Sequence, residues 1–223
     1  VPASVEAWLR GQAGGSATAD GLSGAVTPSG KLTETIPLRL EDSPAFLNFP
    51  GEQERVRYGE GLFVGYRWYD ARNMEVAFPF GHGLSYTSFS YGDAAATIAA
   101  DGNITVTVSV TNTGDRAGRE VVQAYTGLAT TAVQRPGREL KAFGVVALEP
   151  GESREVQLTV RRSDLAYWHI AADRWVVEGG DYAVSVAASS RDVRAETTVA
   201  VEGDALLMPL TRESSLAEVF AHP

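Results

Sequence analysis

Glu60 and Asp70 are the pair in this sequence whose side chains could most readily do chemistry together. Two carboxyl groups facing one bond can divide the roles of acid and nucleophile. Between them lie Tyr66, Trp68 and Tyr69, aromatic faces that could stack on a pyranose. The structural reading is the better one for both groups: carboxylates in a connecting segment, and aromatics cementing one domain to the next. His82, His169 and His222 are too scattered along the chain to suggest a metal site, although folding could unite them. Gly81-His82-Gly83 lacks the strand–loop–helix setting of a nucleotide loop, so backbone geometry should matter more there than the imidazole. No Gly-x-Ser-x-Gly elbow is present. Asn103-Ile104-Thr105 satisfies the glycosylation pattern but opens a strand.

Composition narrows the partners. The 223 residues carry a formal net charge of −9 with no block of like charge, which disfavours nucleic acid and anionic membranes. There are no cysteines, so disulfide scaffolds, thiolate metal sites and cysteine nucleophiles are excluded, while cytoplasm and exterior both stay open. No apolar stretch approaches the roughly 20 residues of a membrane span. Val1 to Arg10 lack a signal-peptide layout and there is no initiator methionine, so the start reads as a cut inside a longer polypeptide. No cofactor is expected.

The elements that must position these residues change in texture near Tyr86. Beyond it, Ile104, Val106, Val108 and Val110 alternate with Thr105, Thr107 and Ser109, the period of a half-buried strand. Glu120–Tyr125, Ala142–Leu148, Val156–Val160, Tyr182–Ala188 and Val193–Val201 follow, punctuated by Asn112-Thr113-Gly114-Asp115, Glu149-Pro150-Gly151-Glu152 and Gly179-Gly180-Asp181. Strands at this spacing without long helices predict an antiparallel β-sandwich, and the missing cysteine pair favours a fibronectin-III-like variant. Trp168 and Trp175 fall in this region, where core or inter-loop packing is expected.

Before Tyr86 the pattern is irregular. Gly14–Leu22 reads as a tightly packed helix stopped by Gly24, and Lys31–Ile36 as a strand after the turn at Pro28-Ser29-Gly30. These few elements could hardly bury a core of their own, so they read as the tail of a larger α/β domain, the alternative being a poorly ordered extension. Near the C-terminus, Ser214 or Ser215 could cap a short helix through Phe220.

The ordered motifs resemble a known family. Gly11 to Ala17 with Ala19-Asp20 and Pro28 to Leu32, then Tyr58-Gly59-Glu60-Gly61-Leu62-Phe63-Val64-Gly65-Tyr66-Arg67-Trp68-Tyr69-Asp70, then Phe78-Pro79-Phe80-Gly81-His82-Gly83-Leu84-Ser85-Tyr86 are similar to the C-terminal part of family 3 glycoside hydrolases. Gly118 to Tyr125, Arg138 to Phe143, Leu148 to Glu152, Gly180-Asp181-Tyr182 and Ser189 to Asp192 continue the resemblance. It implies a mainly β piece of a β-glucosidase-like enzyme: residues 1–57 end an α/β sandwich domain, 58–85 connect, 86–203 form the fibronectin-III-like domain and 204–223 extend beyond it. Retaining hydrolysis of this type needs carboxyls about 5 to 5.5 Å apart. The resemblance puts the aspartate nucleophile in an absent barrel and the glutamate acid/base upstream of Val1. No residue here is therefore expected to be catalytic or to bind metal, and the substrate-binding residues are unassigned. The partners expected are the absent barrel and α/β domains and, in the full-length enzyme, a β-linked glucoside or oligosaccharide. Glucosidase, xylosidase and N-acetylglucosaminidase activities stay open. A stand-alone carbohydrate- or surface-binding module and a structural spacer or oligomer contact are the alternatives.

Overall fold

A computed structural model describes residues 4–206. The period-2 segments form two antiparallel sheets. β3 (Phe89–Ile98), β4 (Ile104–Asn112) and β7 (Ser153–Val160) make one, in the order β3-β4-β7. β5 (Gly118–Leu128), β6 (Glu139–Leu148), β10 (Gly180–Ser189) and β11 (Asp192–Val201) make the other, in the order β11-β10-β5-β6. Ile104, Val106 and Val108 sit opposite Val160, Leu158 and Val156. Their inward faces meet Val122, Ala124, Val184 and Val186 across the sandwich, all fully or almost fully buried. Fully burying one such side chain contributes about 1.5–3 kcal/mol, which is why alternation dictates this architecture.

Buried polar groups fasten the strand ends. The Tyr182 hydroxyl donates to the Glu178 carbonyl at 2.9 Å, the tyrosine corner that pins the crossing between sheets. Asn112, fully buried, donates through Nδ2 to the carbonyls of Arg116 and Leu148 at 2.7 and 3.0 Å. Its Oδ1 accepts from the Thr87 hydroxyl at 2.6 Å and the Gly114 N–H at 3.1 Å, so one amide organises the whole turn.

Two short elements depart from the pattern read in the sequence. The strand expected at Lys31–Ile36 shrinks to β1 (Ile36–Pro37), paired with β2 (Val76–Phe78). Leu32 instead exchanges backbone hydrogen bonds with the Gly81-His82 turn at 2.7 and 2.8 Å, and Pro37 has no N–H to extend a ladder. Trp168 and Trp175, expected in the core or between loops, lie on an exposed hairpin of β8 (Tyr167–His169) and β9 (Arg174–Val176). They face each other across it, and the core side of this hairpin is filled by Val176 instead. The helix α1 (Gly14–Ser23) forms where expected, ended by Gly24 at φ +77°. A second helix, α2 (Tyr66–Ala71), carries the aromatic run. From residue 207 on, the C-terminal extension with its expected short helix lies outside the described residues.

Candidate functional site: the seam between connector and sandwich

The alternation fails in one informative place. Val122 to Thr126 on β5 and Val184 to Ser189 on β10 are buried on consecutive positions, so both faces of the sheet are covered there. The cover is the connector. On α2, the Tyr66 ring stacks on Phe80 at 4.9 Å and meets the edge of Tyr125 at 5.9 Å. Its hydroxyl accepts the Leu140 N–H at 2.8 Å. Tyr66, Tyr125 and Ala187 thus make a second small core outside the sandwich.

The turn at Gly81-His82 is clasped by a single glutamine. Gln123 Nε2 donates to the carbonyls of Gly81 at 3.3 Å and Ala188 at 2.7 Å, and its Oε1 accepts the Tyr125 hydroxyl at 2.7 Å. Gly81 holds φ +80°, and a Cβ there would stand 2.2 Å from Gln123 Oε1. Glycine is required twice over, by conformation and by space. The Ser190 N–H donates to the Phe80 carbonyl at 2.9 Å, closing the clasp from the β10–β11 turn.

Charges flank this seam. Lys31 Nζ reaches the Gly83 carbonyl and Glu120 Oε1, both at 3.3 Å, and the Tyr91 hydroxyl donates to the same oxygen at 2.9 Å. Burial, reinforced by the Glu120 charge, pushes the Tyr91 phenol well above its ordinary value. Burial and the Lys31 charge lower His82, whose ring stacks on Phe78 at 5.3 Å. On the far side Glu139 draws Lys141 at 3.4 Å, Arg135 at 3.7 Å and Arg67 at 3.8 Å. Burial lowers the Lys141 ammonium.

The sequence-picked candidates distribute as follows. Asp70 is held by Arg191 in an ion pair at 2.9 Å, while Glu60 lies before α2 in the turn that leads to Phe63. Tyr69 is buried, and burial raises its phenol. Trp68 donates through Nε1 to the Asp42 carbonyl at 3.3 Å, with the Arg72 guanidinium over its ring at 4.7 Å. His82 belongs to the seam and His169 to the hairpin, where its Nδ1 accepts the Ala172 N–H at 3.1 Å. His222 lies outside the described residues. The Asn103 amide is engaged at both ends, donating to Asp101 at 2.7 Å and accepting the Arg162 N–H at 2.8 Å. The roles of Gln123, Lys31 and Arg191 went unread in the sequence. A glutamine inside the apolar run Val121–Tyr125 was the one visible sign.

The seam thus fastens a connecting segment to one sheet of an antiparallel β-sandwich, and the class of protein is defined by that pairing. Residues 1–86 match the family model Glycosyl hydrolase family 3 C-terminal domain, and residues 120–190 match Fibronectin type III-like domain. The chain belongs to glycosyl hydrolase family 3, as its C-terminal part. It is 45% identical over 219 residues to an exo-alpha-(1->6)-L-arabinopyranosidase of Bifidobacterium breve, covering 98% of this chain and 29% of the relative. It is 47% identical over 204 residues to thermostable beta-glucosidase B of Acetivibrio thermocellus, covering 90% and 27%. The solved GH3 beta-glucosidase of Bifidobacterium adolescentis superposes with a TM-score of 0.89 at 45% identity, over 96% of this chain and 32% of that one. The chain therefore spans less than a third of the length of these relatives. Among the described residues, no helix is long and apolar enough to cross a membrane.

Proposed function

We propose that this chain is the non-catalytic C-terminal part of a retaining, exo-acting β-glycosidase of the β-glucosidase type, and that it braces the catalytic domains. In this reading residues 1–57 complete an α/β domain, 58–85 connect and 86–203 form the brace. The observation that carries it is an imbalance of burial. The sandwich closes its own core, whereas α1 buries none of its residues and Leu47, Tyr58 and Phe49 are 90%, 83% and 74% exposed. A ten-residue helix without a packed face is not stable alone in water. Large apolar side chains left this exposed suit burial against a further surface. The seam then transmits position: Tyr66, Gln123 and Arg191 fix the connector, and the connector fixes whatever docks on its far side.

The test is a pair of measurements. The isolated chain should show no hydrolysis of an aryl β-glucoside, and turnover surviving rigorous purification would place the carboxylates inside it. Removing residues 87–203 from the full-length enzyme should leave insoluble or inactive protein; nearly normal activity would make the sandwich a spacer.

A further inference from the structure

Glu139 faces more positive charge than one carboxylate can answer. Lys141 Nζ stands 3.4 Å from its oxygens, Arg135 Nη2 3.7 Å and Arg67 Nη2 3.8 Å. The groups come from three places: Arg67 from α2, Arg135 from the loop between β5 and β6, and Glu139 and Lys141 from β6. Three cations against one carboxylate leave a local excess of two positive charges. Little of that excess is open to water. The Arg135, Lys141 and Glu139 side chains are 8%, 13% and 14% exposed, and Arg67 is 26% exposed.

Among the described residues, no second acid balances these cations. Beyond burial, the charges that act on Lys141 are Glu139, Arg135 and Arg67. Asp164 lines the groove of about 560 Å³ that Lys141 shares with Phe143, Gln157 and Thr159, but Arg161 already holds both its oxygens at 2.9 and 3.0 Å. The donors are under-used as well as the charge. Arg135 gives Nη2 to the Leu165 carbonyl at 2.7 Å, and Arg67 reaches the Leu62 carbonyl through Nη1 at 3.5 Å. Among the described residues, no acceptor meets Arg135 Nη1 or Arg67 Nε, both of them buried. Idle N–H groups on buried guanidinium ions are costly. Two planar forks beside an ammonium are also the donor set that grips an oxyanion.

We propose that Arg67, Arg135 and Lys141 form an oxyanion-binding site, which takes a carboxylate or phosphate group alongside Glu139. The guest supplies the charge that Glu139 leaves uncompensated and the acceptors that Arg135 Nη1 and Arg67 Nε lack. It needs all three cations, because Glu139 itself repels it. Filling the site also ties α2 to β6 through the guest, since Arg67 stands on one and Lys141 on the other. Two sources share this chemistry: a free anion, and a carboxyl side chain from elsewhere in the full-length enzyme.

Thermal unfolding of the 223-residue chain in sodium phosphate, against sodium chloride at matched ionic strength, tests this. Bound phosphate should raise the midpoint as a saturating function of its concentration. Arg67→Met, which alters the most exposed of the three cations, should still fold and bind phosphate at least about tenfold more weakly. Glu139→Gln removes the repelling charge and should bind phosphate at least about tenfold more tightly. A carboxylate that merely holds the cluster together would change stability on removal but not phosphate affinity. Should Glu139→Gln fail to fold, the parent and Arg67→Met decide between them. No effect beyond chloride overturns the proposal. So does an equal effect in the parent and Arg67→Met, which is general exclusion of the salt from the surface. The full-length enzyme then separates the sources. A phosphate effect that persists there assigns the site to a free anion, and one lost there assigns it to the enzyme's own carboxyl side chain. The inference stands on the charges around Glu139 and does not depend on the bracing role.

Discussion

Asp70 and Arg191 are separated by 121 positions in the chain and meet at 2.9 Å between Oδ1 and Nε. The second arm of the same guanidinium donates to the Met74 carbonyl at 2.9 Å, so one side chain caps α2 and its following turn from the β10–β11 loop. The carboxylate that looked most like a catalytic group is thereby a fastening of the seam. A hydrolytic carboxylate needs a second carboxyl across a substrate-sized gap, whereas Asp70 is occupied by a planar cation.

A double-mutant cycle checks that assignment. Both side chains are about a quarter exposed, at 28% and 26%, so solvent screening holds their coupling to about 0.5–1 kcal/mol. Arg191→Ala should cost more than Asp70→Asn in urea unfolding, because it also frees the Met74 carbonyl. Arg191→Lys keeps the charge but cannot hold both partners. Strictly additive single effects would mean the pair contributes nothing.

Gly81→Ala should be among the most damaging one-carbon changes in the chain. The residue sits at φ +80° and its new methyl would strike the Gln123 amide, which three hydrogen bonds hold in place. Left-handed backbone strain and overpacking together predict a loss of about 2–4 kcal/mol. Combining it with Gln123→Ala relieves the clash but not the strain. The double variant should therefore lose less than the sum of the two singles when compared by denaturant midpoint.

The sandwich was legible because its strands bury one face. Ile104 to Val110 and Val156 to Val160 write that face in every second letter. β3 went unread because Gly92 and Asp93 carry a register shift between Tyr91 and Ala94, which breaks the alternation. The β8–β9 hairpin went unread because three-residue strands are too short to show a period. The seam was visible only as motifs. Its working contacts join Lys31 to Glu120, Tyr66 to Leu140 and Asp70 to Arg191, across 89, 74 and 121 positions, and no local pattern encodes such pairings. The consecutive burial on β5 and β10 reflects a cover supplied by a distant segment, which periodicity within the strands cannot foresee.

His82 gives the seam a pH dependence with a definite sign. Burial, then the Lys31 ammonium, lowers its folded pKa below the ordinary 6.5, with Asp192 opposing weakly. In the window between the folded value and 6.5 the unfolded chain binds more protons than the native one. Stability contributed by neutral His82 is therefore complete above pH 6.5 and falls as pH drops through that window, levelling off below the folded value. Urea unfolding from pH 7.5 to 5 should show this decline in the parent chain. His82→Gln, which cannot be charged, should flatten it while the contribution of other groups persists. Replacing Lys31 with Met removes the cation facing His82 and should narrow the window from its lower side. An unchanged slope in His82→Gln would assign the pH dependence to groups outside the seam.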